Sequence, residues 1–269
     1  EVAPQPPERA EISAPRIEIF PSAGAAVADL LSKNEARIVA FGEFHQTEGT
    51  THIESSVRRF TDQILPQLKT SRDLVVETWV KEGKCGKEEA AVLDDLDETT
   101  ERPRTTETEV ARMMRLSREA GIAPHILTIG CEDYARLLGD GGQVDYWKFL
   151  ALVTEGLKDK AKELAASEHE VDGRRRVVIY GGAIHNDEKP HDDLAPYSFA
   201  EDLRRHTGGS YLEVDLYVPE FVRGNEQLAA ELWFPLFQEH VSKDKVLLIE
   251  RSPSSYIIVF KEGVRSKPK

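Results

Sequence analysis

The strongest constraint on this chain's fold is its repeated switch between short β-branched runs and longer amphipathic stretches. Arg37 to Phe41, Asp73 to Thr78, His125 to Ile129 and Arg176 to Tyr180 have the length and residue types of buried strands. Between them lie helical patterns at Ala25 to Leu31, Thr51 to Leu68, Glu107 to Ala120 and Val144 to Glu168. In the second, Ile53, Val57, Phe60, Ile64 and Leu68 recur three and four residues apart, with Pro66 expected to kink or stop the helix near Leu65. Gly121 marks the end of the third. Ser198 to His206 and Gln227 to His240 read as helices and Ser210 to Val218 as a strand. Val246 to Ile249 and Tyr256 to Phe260 are close enough to pair as a hairpin. Such alternation implies an α/β fold: a mostly parallel central sheet with helices on both faces and an antiparallel edge.

No linker long enough to separate domains follows the start of the chain, so residues 17–269 are read as a single α/β domain. Residues 1–16 open with a Pro-rich polar stretch that buries too little surface to offset ordering, and are expected to form a flexible leader. That leader suits an exported protein or lipid-anchored lipoprotein whose signal segment has been removed, and equally a shortened chain; a cytoplasmic location stays open. No apolar run approaches the roughly 18–20 residues of a membrane span. A net charge of -13 argues against nucleic acid as partner, since phosphate binding needs clustered Lys and Arg. Of the two cysteines, Cys131 ends an apolar run and reads as a buried, inert thiol, while Cys85 reads as a solvated loop thiol. Gly83 to Arg104 is charged and loop-like, with Glu88 to Leu96 a candidate helix.

In open parallel sheets, ligands bind beyond the carboxyl ends of the strands. The first strand is followed by Gly42-Glu43-Phe44-His45, the second carries Glu77 at its end, and the fourth is followed by Gly182-Ala183-Ile184-His185. Two Gly-x-x-His segments at equivalent positions place imidazoles at one sheet edge beside Glu43 and Glu77, with the glycines expected to permit tight turns. A lone histidine there is more often a satisfied core or turn residue; the pair with two carboxylates favours a functional reading. Glu77 ends an apolar strand and needs a partner, either an arginine or a metal. His52 reads as helix-cap surface, and His125, His169, His206 and His240 form no pattern. There is no Gly-x-Ser-x-Gly elbow, no His-Glu-x-x-His and no Walker loop.

The paired Gly-x-x-His segments, the Gly42-Glu43-x-His45 form of the first and the glutamate of Val75-Val76-Glu77 resemble the superfamily of erythromycin esterases, ChaN-type haem-binding lipoproteins and Tiki/TraB proteins. The likeness runs from about Arg37 to Tyr217, and Thr128 to Asp133 is similar to a strand-Gly-x-Asp stretch of the esterases. The resemblance implies an α/β fold with its site at the strand ends, and places Glu43, His45, Glu77 and His185 in that site. It further implies an arginine on the helix after the first strand, for which Arg58 is the candidate and Arg59 the competitor. The esterases' first motif has one more residue between glutamate and histidine, so their macrolide substrate is not expected here. The length is nearer the ChaN-like branch.

Two chemistries for a hydrolase acting on an ester or amide, in a small molecule or peptide, stay open. In one, His45, His185 and Glu77 (or Glu43) hold a divalent metal, zinc or manganese, that activates water. In the other, His45 is the general base, oriented by Glu43 or Glu77. The alternative of a different class is a non-catalytic haem-binding lipoprotein in haem or iron uptake, with His45 and His185 as the cofactor's contacts.

Overall fold

The computed structural model describes residues 14–82, 85, 89, 92, 93, 95, 96, 99–139, 142–167 and 173–263. Among the described residues eight strands form one sheet: β1 (Arg16–Phe20), β2 (Ile38–Glu43), β3 (Ser71–Glu82), β4 (Ala123–Gly130), β5 (Arg176–Gly182), β6 (Tyr211–Tyr217), β7 (Val246–Ser252) and β8 (Ser255–Val259). Their order is β1-β7-β8-β6-β2-β5-β3-β4. β2 pairs in parallel with β5 and β6, and β3 with β4 and β5. β8 is parallel to β6 but antiparallel to β7, which pairs antiparallel with β1, so the expected hairpin and mixed edge are present. The chain leaves β2 toward β3 on one side and reaches β6 on the other, so the strand order reverses at β2. That reversal opens a crevice at the carboxyl ends of β2, β5 and β3.

Side chains alternate across the sheet and bury two separate layers. On one face Val39, Phe41, Val76 and Val178 meet α1 (Ala23–Lys33), α2 (Ser56–Arg59) and α3 (Thr105–Glu119). On the other, Ile38, Ala40, Val177 and Ile179 meet α4 (Cys131–Leu137), α5 (Tyr146–Ala166) and α7 (Ala200–His206), while α6 (Ala183–Asn186) sits at the strand ends. α5 starts where Asp145 accepts the Lys148 N–H at 3.2 Å and turns Phe149, Val153, Leu157 and Ala161 onto the sheet. Truncating a fully buried leucine such as Leu157 to alanine costs about 2–5 kcal/mol. Beyond β6 the same face carries a third cluster, where Trp233 and Phe237 of the α10 region (Phe234–His240) cover Tyr217, Ile249 and Ile257. Buried Glu213 and Asp215, both bonded to Arg251 at 2.6 and 2.8 Å, lie on β6 at the seam between the second and third clusters.

Several boundaries differ from the sequence reading. Residues 1–13 lie outside the described residues, but the leader cannot extend through Arg16, because β1 starts there and pairs with β7. The helix expected from Thr51 starts at Ser56, where Ser55 accepts the Arg58 N–H, widens to a π turn over Phe60–Ile64, and tightens over Leu65–Gln67 where Pro66 removes a donor. The helix expected over Gln227 to His240 is two pieces, α9 (Glu226–Ala229) and α10, following α8 (Pro219–Val222). Of the candidate helix at 88–96, the described residues Glu89, Val92, Leu93, Asp95 and Leu96 are helical. His169 lies outside the described residues.

Both cysteine expectations are overturned: Cys85 and Cys131 form a disulfide, with their Cα atoms 4.9 Å apart. β3 and β4 are parallel neighbours in register through Glu82 and Gly130, so residues just past the two strand ends fall side by side. The chain separation of 46 residues hides that neighbourhood from local pattern. Among the described residues no helix is long and apolar enough to cross a membrane.

Candidate functional site

Glu43 is the last residue of β2, a strand buried along its whole length between two parallel neighbours. Its carboxylate is used twice: Oε1 lies 2.7 Å from His45 Nδ1, and Oε2 accepts the Tyr180 hydroxyl at 2.5 Å. Burial, then the Glu43 charge and hydrogen bond, push the Tyr180 phenol far up, so it remains a donor. With Glu43 as acceptor, His45 carries its proton on Nδ1, and Nε2 keeps a lone pair. The His45 side chain is 34% exposed, which makes it the more accessible of the two histidines.

Glu77 is aimed by a break in the sheet. Against β4, Val76 pairs with Ile126 but the next partner of Leu127 is Trp79, so Glu77 and Thr78 bulge out of the ladder. The pairing with β5 also ends at Val76, and the freed Gly182 N–H donates to Glu77 Oε2. Burial opposes ionisation of this carboxyl, yet Arg102, His185, His45 and the Gly182 N–H outweigh it and hold its pKa at about 2. His45 Nε2 and His185 Nε2 each stand 3.9 Å from a different Glu77 oxygen. The two histidines, 140 residues apart, thus converge on one carboxylate.

His185 sits on α6 and is almost sealed, at 1% exposure. Thr154 Oγ1 donates to the Leu150 carbonyl at 2.7 Å, so it accepts from His185 Nδ1 at 2.8 Å. The proton is therefore on Nδ1 and Nε2 faces Glu77. Burial pulls the His185 pKa down, with the Glu77 charge opposing it.

The glycines serve space rather than turn geometry. Gly182 has φ -68°, an ordinary conformation, but a Cβ there would stand 2.8 Å from His45 Nε2 and 3.4 Å from Glu77 Oε2. At Gly42, an added Cβ would meet the Ala183 Cα at 2.7 Å, so the close seating of α6 on β2 also requires glycine.

Arg58 does not join the site. Its turn of helix buries Val57 and Phe60, which leaves Arg58 outward, pairing with Glu54 at 3.3 Å and Asp62 at 3.9 Å. Arg59 is buried elsewhere, donating to the Lys261 carbonyl at 2.7 Å. The cation that touches the site's carboxylate and imidazole is Arg102, from the segment read as a charged loop. One of its guanidinium nitrogens lies 3.3 Å from Glu77 Oε1, 2.8 Å from His45 Nδ1 and in contact with His45 Nε2. His52 is exposed, as expected.

Glu43, His45, Glu77, His185 and Arg102 line one cavity of about 1020 Å³. Its wall is aromatic: Trp79 packs edge-on to Phe149 at 5.3 Å, and Trp147 lies 5.0 Å from Tyr197. A divalent ion at His45, His185 and Glu77 does not fit this arrangement. Among the described residues no group of three His, Cys, Asp or Glu side chains is placed to hold a metal, and Arg102 already brings a positive charge against Glu77 and His45 Nε2.

Arg102, Tyr180 and Thr154 were missed from sequence. Tyr180 had one signal: it lies two residues before Gly182 on β5, beside the end of β2. Arg102 had none beyond its place in the charged stretch from Gly83 to Arg104. Comparison with protein-family models, curated proteins and solved structures gives no match to this chain.

Proposed function

We propose that this protein is a hydrolase that activates water for attack on an ester or amide, with His45 as general base and no metal in the reaction. The observation that carries the reading is the chain Tyr180–Glu43–His45 at the floor of a large aromatic cavity, ordered like the base and orienting carboxylate of hydrolytic triads. Water bound at His45 Nε2 gives its proton to that nitrogen while its oxygen bonds to the carbonyl carbon. The carbonyl π pair moves onto oxygen, and the oxyanion takes the Arg102 guanidinium, which leaves His45 Nε2 as water enters. Collapse expels the alkoxide or amine, which recovers the proton from His45. Glu77, ionised, holds Arg102 in reach; His185 packs behind it.

The resemblance to the esterase superfamily supports the same reading, and the disulfide supports an exported location, since such bonds persist in oxidising compartments. The cavity's volume and its Trp79, Tyr146, Trp147 and Phe149 wall favour a second reading, haem binding without turnover. One experiment separates them: chelator-treated protein assayed on a panel of chromogenic esters and anilides, beside a haem absorbance titration. Turnover that survives chelation and is lost in His45→Gln supports the hydrolase. A stoichiometric Soret band with no turnover overturns it in favour of haem, and turnover restored only by zinc or manganese overturns the metal-free step.

A further inference from the structure

We propose that Glu101 is the positioning residue of this site, acting through its backbone to present Arg102 to Glu77 and His45; this rests on the hydrolase reading. Among the described residues Glu101 is the single non-glycine with positive φ, at 46°. Left-handed backbone at a glutamate crowds its Cβ, so surrounding contacts must impose it. One is visible: the Glu101 carbonyl accepts the Glu48 N–H at 2.9 Å, tying the turn to the loop that follows His45. The next residues narrow the geometry further. Arg102 precedes Pro103, which drives it to an extended conformation, and the proline fixes its own φ. Pro103 is buried, and its carbonyl accepts the Thr106 N–H at 2.9 Å as α3 begins.

Arg102 thus stands between a left-handed residue on one side and a seated proline on the other. A flexible arginine on a plain loop would pay side-chain and backbone entropy each time it met the oxyanion. Here the backbone part is already spent in folding, which is how electrostatic stabilisation gains from preorganisation. The Glu101 side chain is exposed, so the effect belongs to the main chain rather than to its charge.

The test compares Glu101→Asn, which tolerates the left-handed conformation, with Glu101→Val, which resists it. Two readouts are taken on the whole protein: kcat and KM on the best ester of the panel, and the rate at which phenylglyoxal modifies Arg102, located by mass spectrometry. Glu101→Val is expected to lower kcat at least tenfold with KM within threefold, and to raise Arg102 modification at least threefold. Glu101→Asn should match wild type in both. Should Glu101→Val fail to melt cooperatively, Pro103→Gly, which releases Arg102 from its pre-proline restriction, is expected to give the same pair of changes. Unchanged Arg102 reactivity in a folded Glu101→Val or Pro103→Gly, or equal losses in Glu101→Asn, overturns the proposal. Because the modification rate needs no substrate, a protein that hydrolyses nothing yet shows the reactivity change defeats the hydrolase reading and leaves the positioning role standing.

Discussion

Glu43 Oε1 and His45 Nδ1 are 2.7 Å apart, and this contact sets which nitrogen of the ring carries the proton and which keeps the lone pair. Glu43→Gln keeps the shape but can offer an N–H to Nδ1, which moves the ring proton to Nε2 and removes the base. The expected result is a kcat about 10²–10⁴ lower with the fold retained. Steady-state kinetics with a thermal melt of the same sample checks it; a variant with full kcat shows that Glu43 does not set the tautomer.

Glu77 contributes stability with a definite pH sign. Its folded pKa of about 2 lies below the unbound value of 4.5. The contribution is therefore complete above pH 4.5 and lost as pH falls toward 2, and amounts to on the order of 3 kcal/mol. Asp215 runs the other way: burial, partly offset by Arg251, lifts it to about 6, so stability falls as pH rises from 3.8 through that value. Urea unfolding of wild type and Glu77→Gln between pH 2 and 7 should show their difference shrinking below pH 4.5. A constant difference would mean that Glu77 is not held ionised by its neighbours.

The Cys85–Cys131 bond closes a span of 46 residues that carries Arg102 and all of α3. Loop-closure entropy puts its contribution at about 4 kcal/mol. Reduction by dithiothreitol, or the Cys85→Ser/Cys131→Ser variant, should lower the urea midpoint accordingly, while leaving the Glu43–His45 contact on β2 intact. An unchanged midpoint after complete reduction, verified by thiol counting, contradicts this.

Gly182→Ala tests the close approach at the site. The added methyl would sit 2.8 Å from His45 Nε2, and the imidazole, being 34% exposed, has room to swing away. Overpacking of this kind costs about 1–3 kcal/mol of stability. Turnover should fall by a larger factor than stability alone explains, because the displaced ring loses its alignment. A variant with wild-type kcat would show that His45 Nε2 is not where the chemistry occurs.

Much of the fold was legible because its signals are local. The β-branched runs of β2 and β5 and the four-residue spacing of Phe149, Val153 and Leu157 follow from burial on a strand or a helix face. The strand-end rule then located Glu43, His45, Glu77 and His185 without any knowledge of the pairing. What escaped depends on contacts remote in sequence. β1 is a short edge strand with alternating Ile17 and Ile19 and became visible only through its pairing with β7. The disulfide follows from the register of β3 against β4, and Arg102 from a left-handed turn that no residue pattern announces. Arg58 misled because helix position alone does not say which face the core claims.

The most direct test of the central claim is chemical rescue of His45→Gly by added imidazole. If His45 is the base, the variant should lose turnover on the best ester by about 10²–10⁴. Imidazole should restore it in proportion to the concentration of the neutral form, while leaving His45→Gly/Glu43→Gln less responsive. Wild-type turnover in His45→Gly, or a loss that imidazole does not relieve at any pH, would contradict the account.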